Sequence, residues 1–249
     1  MNIDQLQWWG NLRHGGMLLD AQRLSSLVPA LPDPLDYYPQ DRLRRELITF
    51  RDEPSEQRGS LVAHVLQKVC GFALPHGDWY RGGNVASTWT RRGLTGEAIR
   101  PSHLWLGRNK AVLPVFIDDQ KRLGIGRGKR ICSQVLQWLR HGDEQLAVLT
   151  NGQQWRIVFA GLDYDAFCEW DIDQWFAEGQ TSLAQSAFVL SFALRLTPYF
   201  FHSFLSLPQV LAGSARRVTP LFRLMTSASW TLSTAGPLAG VGLGRILPF

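Results

Sequence analysis

Val112-Leu113-Pro114-Val115-Phe116-Ile117 is an unbroken apolar run of strand length, and Asp118, Asp119, Gln120 and Lys121 close it. Gly124-Ile125-Gly126-Arg127-Gly128 then reads as a flexible loop. Beyond it Ile131, Val135, Leu136, Trp138 and Leu139 recur at helical spacing, which predicts an amphipathic helix over about residues 129–140. Leu146-Ala147-Val148-Leu149 predicts a short buried strand. Thr150-Asn151-Gly152-Gln153 predicts a hairpin, because Asn-Gly suits a two-residue turn with positive φ at both positions. Trp155-Arg156-Ile157-Val158-Phe159 is the returning strand. The order strand, acid-x-lysine, helix, strand, turn, strand predicts a mixed α/β core.

Both ends read differently. Asp4, Leu6, Trp8, Trp9, Leu12 and Leu18-Leu19 suit a short helix, Pro29, Pro32, Pro34 and Pro39 break the chain into a loop, and Leu43 to Phe50 is helical again. Residues 179–249 hold arginine and no other charged type, and the last stretch, with Gly236, Gly240, Gly242 and Gly244, has neither helical nor strand period. Ala187 to Leu207 is the nearest approach to a membrane span, but Arg195, Pro198 and His202 interrupt it, so no membrane partner is expected. The expectation is an aberrant or disordered tail, standing where the linker and methyltransferase of a longer protein begin.

Charge changes the picture less than its total suggests. The formal net charge of the 249 residues is +5, but all 21 acidic residues and 21 of the 26 basic ones lie in 1–178, which is therefore net zero. Overall basicity does not argue for DNA binding by that part. The local cluster Arg122, Arg127, Lys129 and Arg130 is the better candidate for phosphate contacts, its alternative being a solvated loop and helix start. Cys70, Cys132 and Cys168 are odd in number and lack metal-ligand spacing, and no signal peptide is visible, which together suit a reduced cytoplasm. His64 and His103 read as structural rather than as ligands.

Asp119-Gln120-Lys121 carries the chemistry. An acid and a lysine two positions apart on a strand share one face. A carboxylate that ligates a metal beside an ammonium that orients water suits phosphodiester cleavage. A phosphate loop is excluded, because Leu123 and Arg130 stand where such a loop needs glycine and a hydroxyl residue.

Four segments in order carry a resemblance. They are Arg100-Pro101-Ser102-His103-Leu104-Trp105-Leu106, Phe116-Ile117-Asp118-Asp119-Gln120-Lys121, Gln134-Val135-Leu136-Gln137-Trp138, and Leu146 through Thr150-Asn151-Gly152-Gln153-Gln154-Trp155-Arg156. Over roughly residues 55–178 they resemble the PD-(D/E)xK nuclease domain of restriction-modification proteins, as in type I motor subunits and fused type IIG nuclease-methyltransferases. Ser55-Glu56, opening Leu61-Val62-Ala63-His64-Val65-Leu66, resembles that fold's leading helix, whose early glutamate often faces the metal site. The resemblance implies a restriction-endonuclease-like α/β fold with helices flanking a mixed sheet over 41–178, after an N-terminal extension of 1–40. It implies a magnesium-dependent DNA endonuclease. Asp119 and the Gln120 carbonyl would ligate Mg2+, Lys121 would position the attacking water, and Gln134 and Glu56 would support the site. DNA would be the partner, with a methyltransferase region or subunit beyond this chain.

Two departures bear on activity. Pro101-Ser102 stands where the family has Pro-Asp, and serine cannot supply that carboxylate; Asp118, Glu97 and Asp78 are the substitutes in reach of the sequence. Trp138 replaces the usual tyrosine of the helix motif and reads as core. The competing expectation is a DNA-binding or assembly module that keeps the fold without the reaction.

Overall fold

The computed structural model describes residues 10, 12–16, 18, 37–72, 77–108 and 111–176. The expectations for the tail beyond residue 178, and most of those for the first 36 residues, lie outside them. A mixed seven-stranded sheet organises the described part, with strands β1 (Arg13–Gly15), β2 (Gly77–Arg81), β5 (His103–Gly107), β6 (Val112–Ile117), β7 (Leu146–Thr150), β8 (Gln154–Ala160) and β9 (Asp165–Asp171). Their spatial order is β1-β9-β8-β7-β6-β5-β2; a small hairpin, β3 (Arg91–Arg92) and β4 (Ala98–Ile99), stands apart. Three helices accompany the sheet: α1 (Tyr37–Asp52), α2 (Pro54–His64), which runs on into a π-helical turn at Val65–Val69, and α3 (Gly128–Arg140).

Within the large sheet only β6 and β7 run parallel, and α3 makes the crossover between them. A parallel pair needs such a connection, and its helix must cover one face of the sheet. Val135, Trp138 and Leu139 of α3 accordingly pack on Phe116, Leu149 and Val158. Successive residues 113–116 of β6, which point to opposite faces, are all buried, so its run is apolar throughout rather than alternating. Pro114 is tolerated there because the parallel pairing with β7 starts only at Val115.

Several boundaries differ from the expectations. Helix α1 begins at Tyr37, before Asp41. Instead of continuing a helix, Arg13–Gly15 of the N-terminal segment pairs with Phe167–Glu169 at the sheet edge. The Thr150 hairpin forms, but the Asn151 amide donates to the Gln154 carbonyl at 3.3 Å, which leaves Gly152 and Gln153 as the central residues. Gly152 has φ 92°, and a Cβ there would lie 2.5 Å from the Phe50 ring, so both conformation and packing of α1 require glycine. Asn151 is thereby released from the turn's centre, and its side chain does something else.

His103 sits on β5 between Arg81 of β2 and Val115 of β6. Burial first, and the Arg81 charge second, push its pKa down to about 4, and its Nδ1 has no hydrogen-bond partner among the described residues. Folding thus favours the neutral ring, whose unfolded pKa is about 6.5. The stability it contributes is complete above that value and is lost as pH falls through 6.5 toward 4. His103→Gln should therefore flatten the fall in melting temperature between pH 7 and pH 4.5; an unchanged slope would place the titration elsewhere.

Candidate functional site

Strand β6 ends at Ile117 because its parallel partner ends at Thr150, where the hairpin turns away. The Asp118 amide makes the last link, donating to the Thr150 carbonyl at 2.9 Å. Asp119 and Lys121 therefore lie beyond the strand, in a loop, and strand alternation does not set their directions. This corrects the expectation that they share a strand face. Both are exposed. The Asp119 carboxylate accepts from Gln120 Nε2 at 2.8 Å, and the Asp119 amide donates to Asp118 Oδ1 at 3.0 Å.

What fixes this loop is the hairpin beside it. Asn151 Nδ2 donates to the Gln120 carbonyl at 2.9 Å and to the Lys121 carbonyl at 3.4 Å. Asn151 Oδ1 accepts the amides of Gln153 at 3.1 Å and Gln154 at 2.7 Å. Gln154 Oε1 accepts the Leu123 amide at 2.8 Å. The Asn151 carbonyl accepts from Arg58 Nε at 2.9 Å, which ties α2 to the same residue.

Of the α2 residues, Arg58 rather than Glu56 meets the hairpin. Residues two apart on a helix are turned about 200° from each other. Glu56 is exposed accordingly, and the expected inward glutamate is not reproduced. Gln134 is half-buried on α3, but its Nε2 reaches Glu97 Oε1 at 3.5 Å, so its partner is the β3–β4 turn rather than the acid-x-lysine loop. Glu97 also accepts from Thr95, the main cause of its lowered pKa. Ser102 does not face a void: its Oγ accepts the Ile117 amide at 3.2 Å.

Of the three substitute carboxylates, Asp118 directly follows Ile117, whose amide Ser102 accepts. It is half-buried, and burial raises its pKa above the usual carboxylate range. Its Oδ2 is inaccessible and has no hydrogen-bond partner among the described residues. No group of three or more His, Cys, Asp or Glu that could hold a metal occurs among them. The oxygen donors that follow the end of β6 along the chain are Asp118, Asp119 and the Gln120 carbonyl, whose second lone pair is left over from Asn151. Hard oxygen donors of this type suit magnesium, which keeps several waters when bound by one or two carboxylates.

Arg122, Arg127, Lys129 and Arg130 are all exposed around the start of α3. The amides of Gly128, Lys129 and Arg130 already donate to the carbonyls of Ile125, Gly126 and Arg127. Any phosphate contact here therefore rests on side chains rather than on free helix amides.

Sequence reading missed a buried polar network beneath the loop. Arg156 on β8 and Glu169 on β9 are directly opposite in register. Arg156 Nε and Nη2 donate to Glu169 Oε2 at 2.8 and 2.5 Å. Gln154 Nε2 and Arg13 Nη1 donate to Oε1 at 3.2 and 2.8 Å. Arg156 also donates to Cys132 Sγ at 3.2 Å, and a Cβ on Gly124 (φ 70°) would lie 2.8 Å from its Nη2. Burial raises the pKa of the Cys132 thiol, which makes it a poor nucleophile. The available signal was Arg156 as the lone charge of β8, and Glu169 as the acid of β9 that lies inside the strand rather than at its ends. No described helix is long and apolar enough to cross a membrane.

No family model and no solved structure matches the chain. Laccase-18 of Oryza sativa subsp. japonica is 30% identical over 99 residues, which is 40% of this chain and 16% of that protein. The chain spans about one sixth of that relative's length, and so limited a likeness shows no shared family.

Proposed function

We propose that the described α/β domain is a restriction-endonuclease-like DNA-binding domain that hydrolyses phosphodiester bonds with magnesium. The observation that carries this reading is the position of Asn151. At the carboxyl ends of the parallel pair β6 and β7, its side chain holds the Gln120 and Lys121 carbonyls, while its own carbonyl holds Arg58 of α2. Three separate segments of the resemblance meet at one residue. The carboxyl ends of strands beside a crossover are where open α/β sheets place their ligands.

In this reading Asp119 and the Gln120 carbonyl would hold the ion. The ion would supply Lewis-acid stabilisation of the developing charge. Lys121 orients the attacking water and offsets negative charge on the phosphoryl oxygens. Arg122, Arg127, Lys129 and Arg130 contact flanking phosphates.

The bond from the Ile117 amide to Ser102, and that between Asp119 and Gln120, favour a second reading: a DNA-binding or assembly module that keeps this architecture and does not cut. The test is nicking of supercoiled plasmid by the full chain with magnesium or with chelator, alongside DNA binding at fixed salt. Lys121→Ala should lower nicking about 100-fold or more, as loss of one charge-stabilising donor does, and leave binding nearly intact. Binding without magnesium-dependent nicking would establish the second reading; absence of both would remove both.

A further inference from the structure

We propose that Asn151 and Gln154 are positioning residues, whose side-chain amides clamp the backbone of the acid-x-lysine loop and set where Lys121 stands. The role assigned to Lys121 rests on the nuclease reading above; the clamp itself rests on geometry alone. Three successive tethers act on a short segment. Asn151 Nδ2 holds the carbonyls of residues 120 and 121, and Gln154 Oε1 holds the amide of residue 123. Both clamp residues are buried, at 4% and 9% exposure, although the loop they hold carries exposed side chains.

The clamp is itself anchored on two sides. Asn151 Oδ1 is fixed by the amides of Gln153 and Gln154, which sets the amide plane and leaves Nδ2 pointing at the loop. Gln154 Nε2 is fixed by Glu169, the acceptor shared by Arg156 and Arg13. The loop is therefore referred to the rigid β8–β9 pair rather than to solvent, which is the support that a positioned catalytic group needs. The Asn-Gly pair of the hairpin accordingly has separate tasks: glycine makes the turn, and asparagine holds the neighbouring loop.

Asn151→Asp separates the clamp from the hairpin. One carboxylate oxygen still accepts the amides of Gln153 and Gln154, but the other replaces Nδ2 and faces two carbonyls. Amide hydrogen exchange of the full-length chain, measured without DNA, should accelerate about tenfold at residues 119–123, the scale set by losing one or two net hydrogen bonds. Protection of β7 and β8 should stay unchanged. In nicking assays kcat should fall about tenfold while KM for plasmid holds, the pattern of a misplaced transition-state group. Gln154→Met, similar in volume, should accelerate exchange at Leu123 in the same way and serves if the aspartate variant does not fold. Unchanged exchange at 119–123 overturns the clamp. Faster exchange with unaltered kcat overturns its positioning role. A wild-type chain without magnesium-dependent nicking overturns the nuclease reading instead, and the exchange comparison still decides the clamp.

Discussion

Glu169→Ala should cost about 3–5 kcal/mol of folding free energy, the usual penalty for breaking a buried ion pair from one side. Glu169 is 2% exposed and Arg156 5%, so water screens neither. In the variant the Arg156 guanidinium keeps the Cys132 sulfur at 3.2 Å and the Phe167 ring, 4.0 Å from centroid to Cζ, but loses its only carboxylate partner among the described residues. A weak sulfur acceptor and a ring face do not replace two charge-assisted bonds. Against a typical domain stability of about 5–15 kcal/mol, the loss is large. Urea unfolding at constant m would read it as a lower midpoint. The double variant Arg156→Met with Glu169→Leu should recover most of it, because desolvating the pair is itself expensive. A single variant within about 1 kcal/mol of wild type would mean that Arg156 finds water or another partner, and the network would not be structural.

That network marks the limit of what the sequence disclosed. The α3 period, the apolar β6 run and the β7–β8 hairpin were legible because each is a local pattern: helical spacing, an unbroken apolar stretch, an Asn-Gly turn. The pairing of Arg156 with Glu169 depends on the register of β8 against β9, and nothing in either strand states it. The β1 edge strand, Arg13-His14-Gly15, has no apolar period and exists only through its pairing with β9. The acid-x-lysine segment looked like the end of a strand because polar residues followed an apolar run directly. The strand stops at Ile117, two residues before Asp119, where its partner turns away, and composition does not record where a neighbour ends.

The candidate site was legible in the same uneven way. Its location followed from the order of the segments, since a crossover helix forces β6 and β7 parallel and sets their carboxyl ends side by side. The partners of its side chains did not. Gln134 was expected toward the loop and faces Glu97; Glu56 was expected inward, and Arg58 holds that contact. Both misses are questions of which way a helix faces, decided by packing of the opposite face. Asn151 was read as a turn former, and it proved to join three segments, its side chain holding the loop and its backbone carbonyl accepting from Arg58.

Trp138→Ala should be the second severe change, at about 3–5 kcal/mol. The indole is fully buried between α3 and the sheet. It stacks on Trp89 at 6.2 Å, meets Phe116 edge-on at 5.5 Å and lies under the Arg91 guanidinium at 3.6 Å from the ring centroid. Its Nε1 donates to the Trp89 carbonyl at 2.9 Å, so truncation leaves a cavity and an unpaired acceptor together. The resembled family carries tyrosine at this place, which makes Trp138→Tyr informative. A phenol is smaller and lacks a donor at the indole nitrogen, so it should cost about 1–3 kcal/mol through the orphaned Trp89 carbonyl and the residual void. If tyrosine instead raised nicking without a change in the melting midpoint, its hydroxyl would be acting at the site and Trp138 would mark lost chemistry. If it destabilised α3 and left nicking alone, the position is core, as its burial and its four neighbouring contacts require.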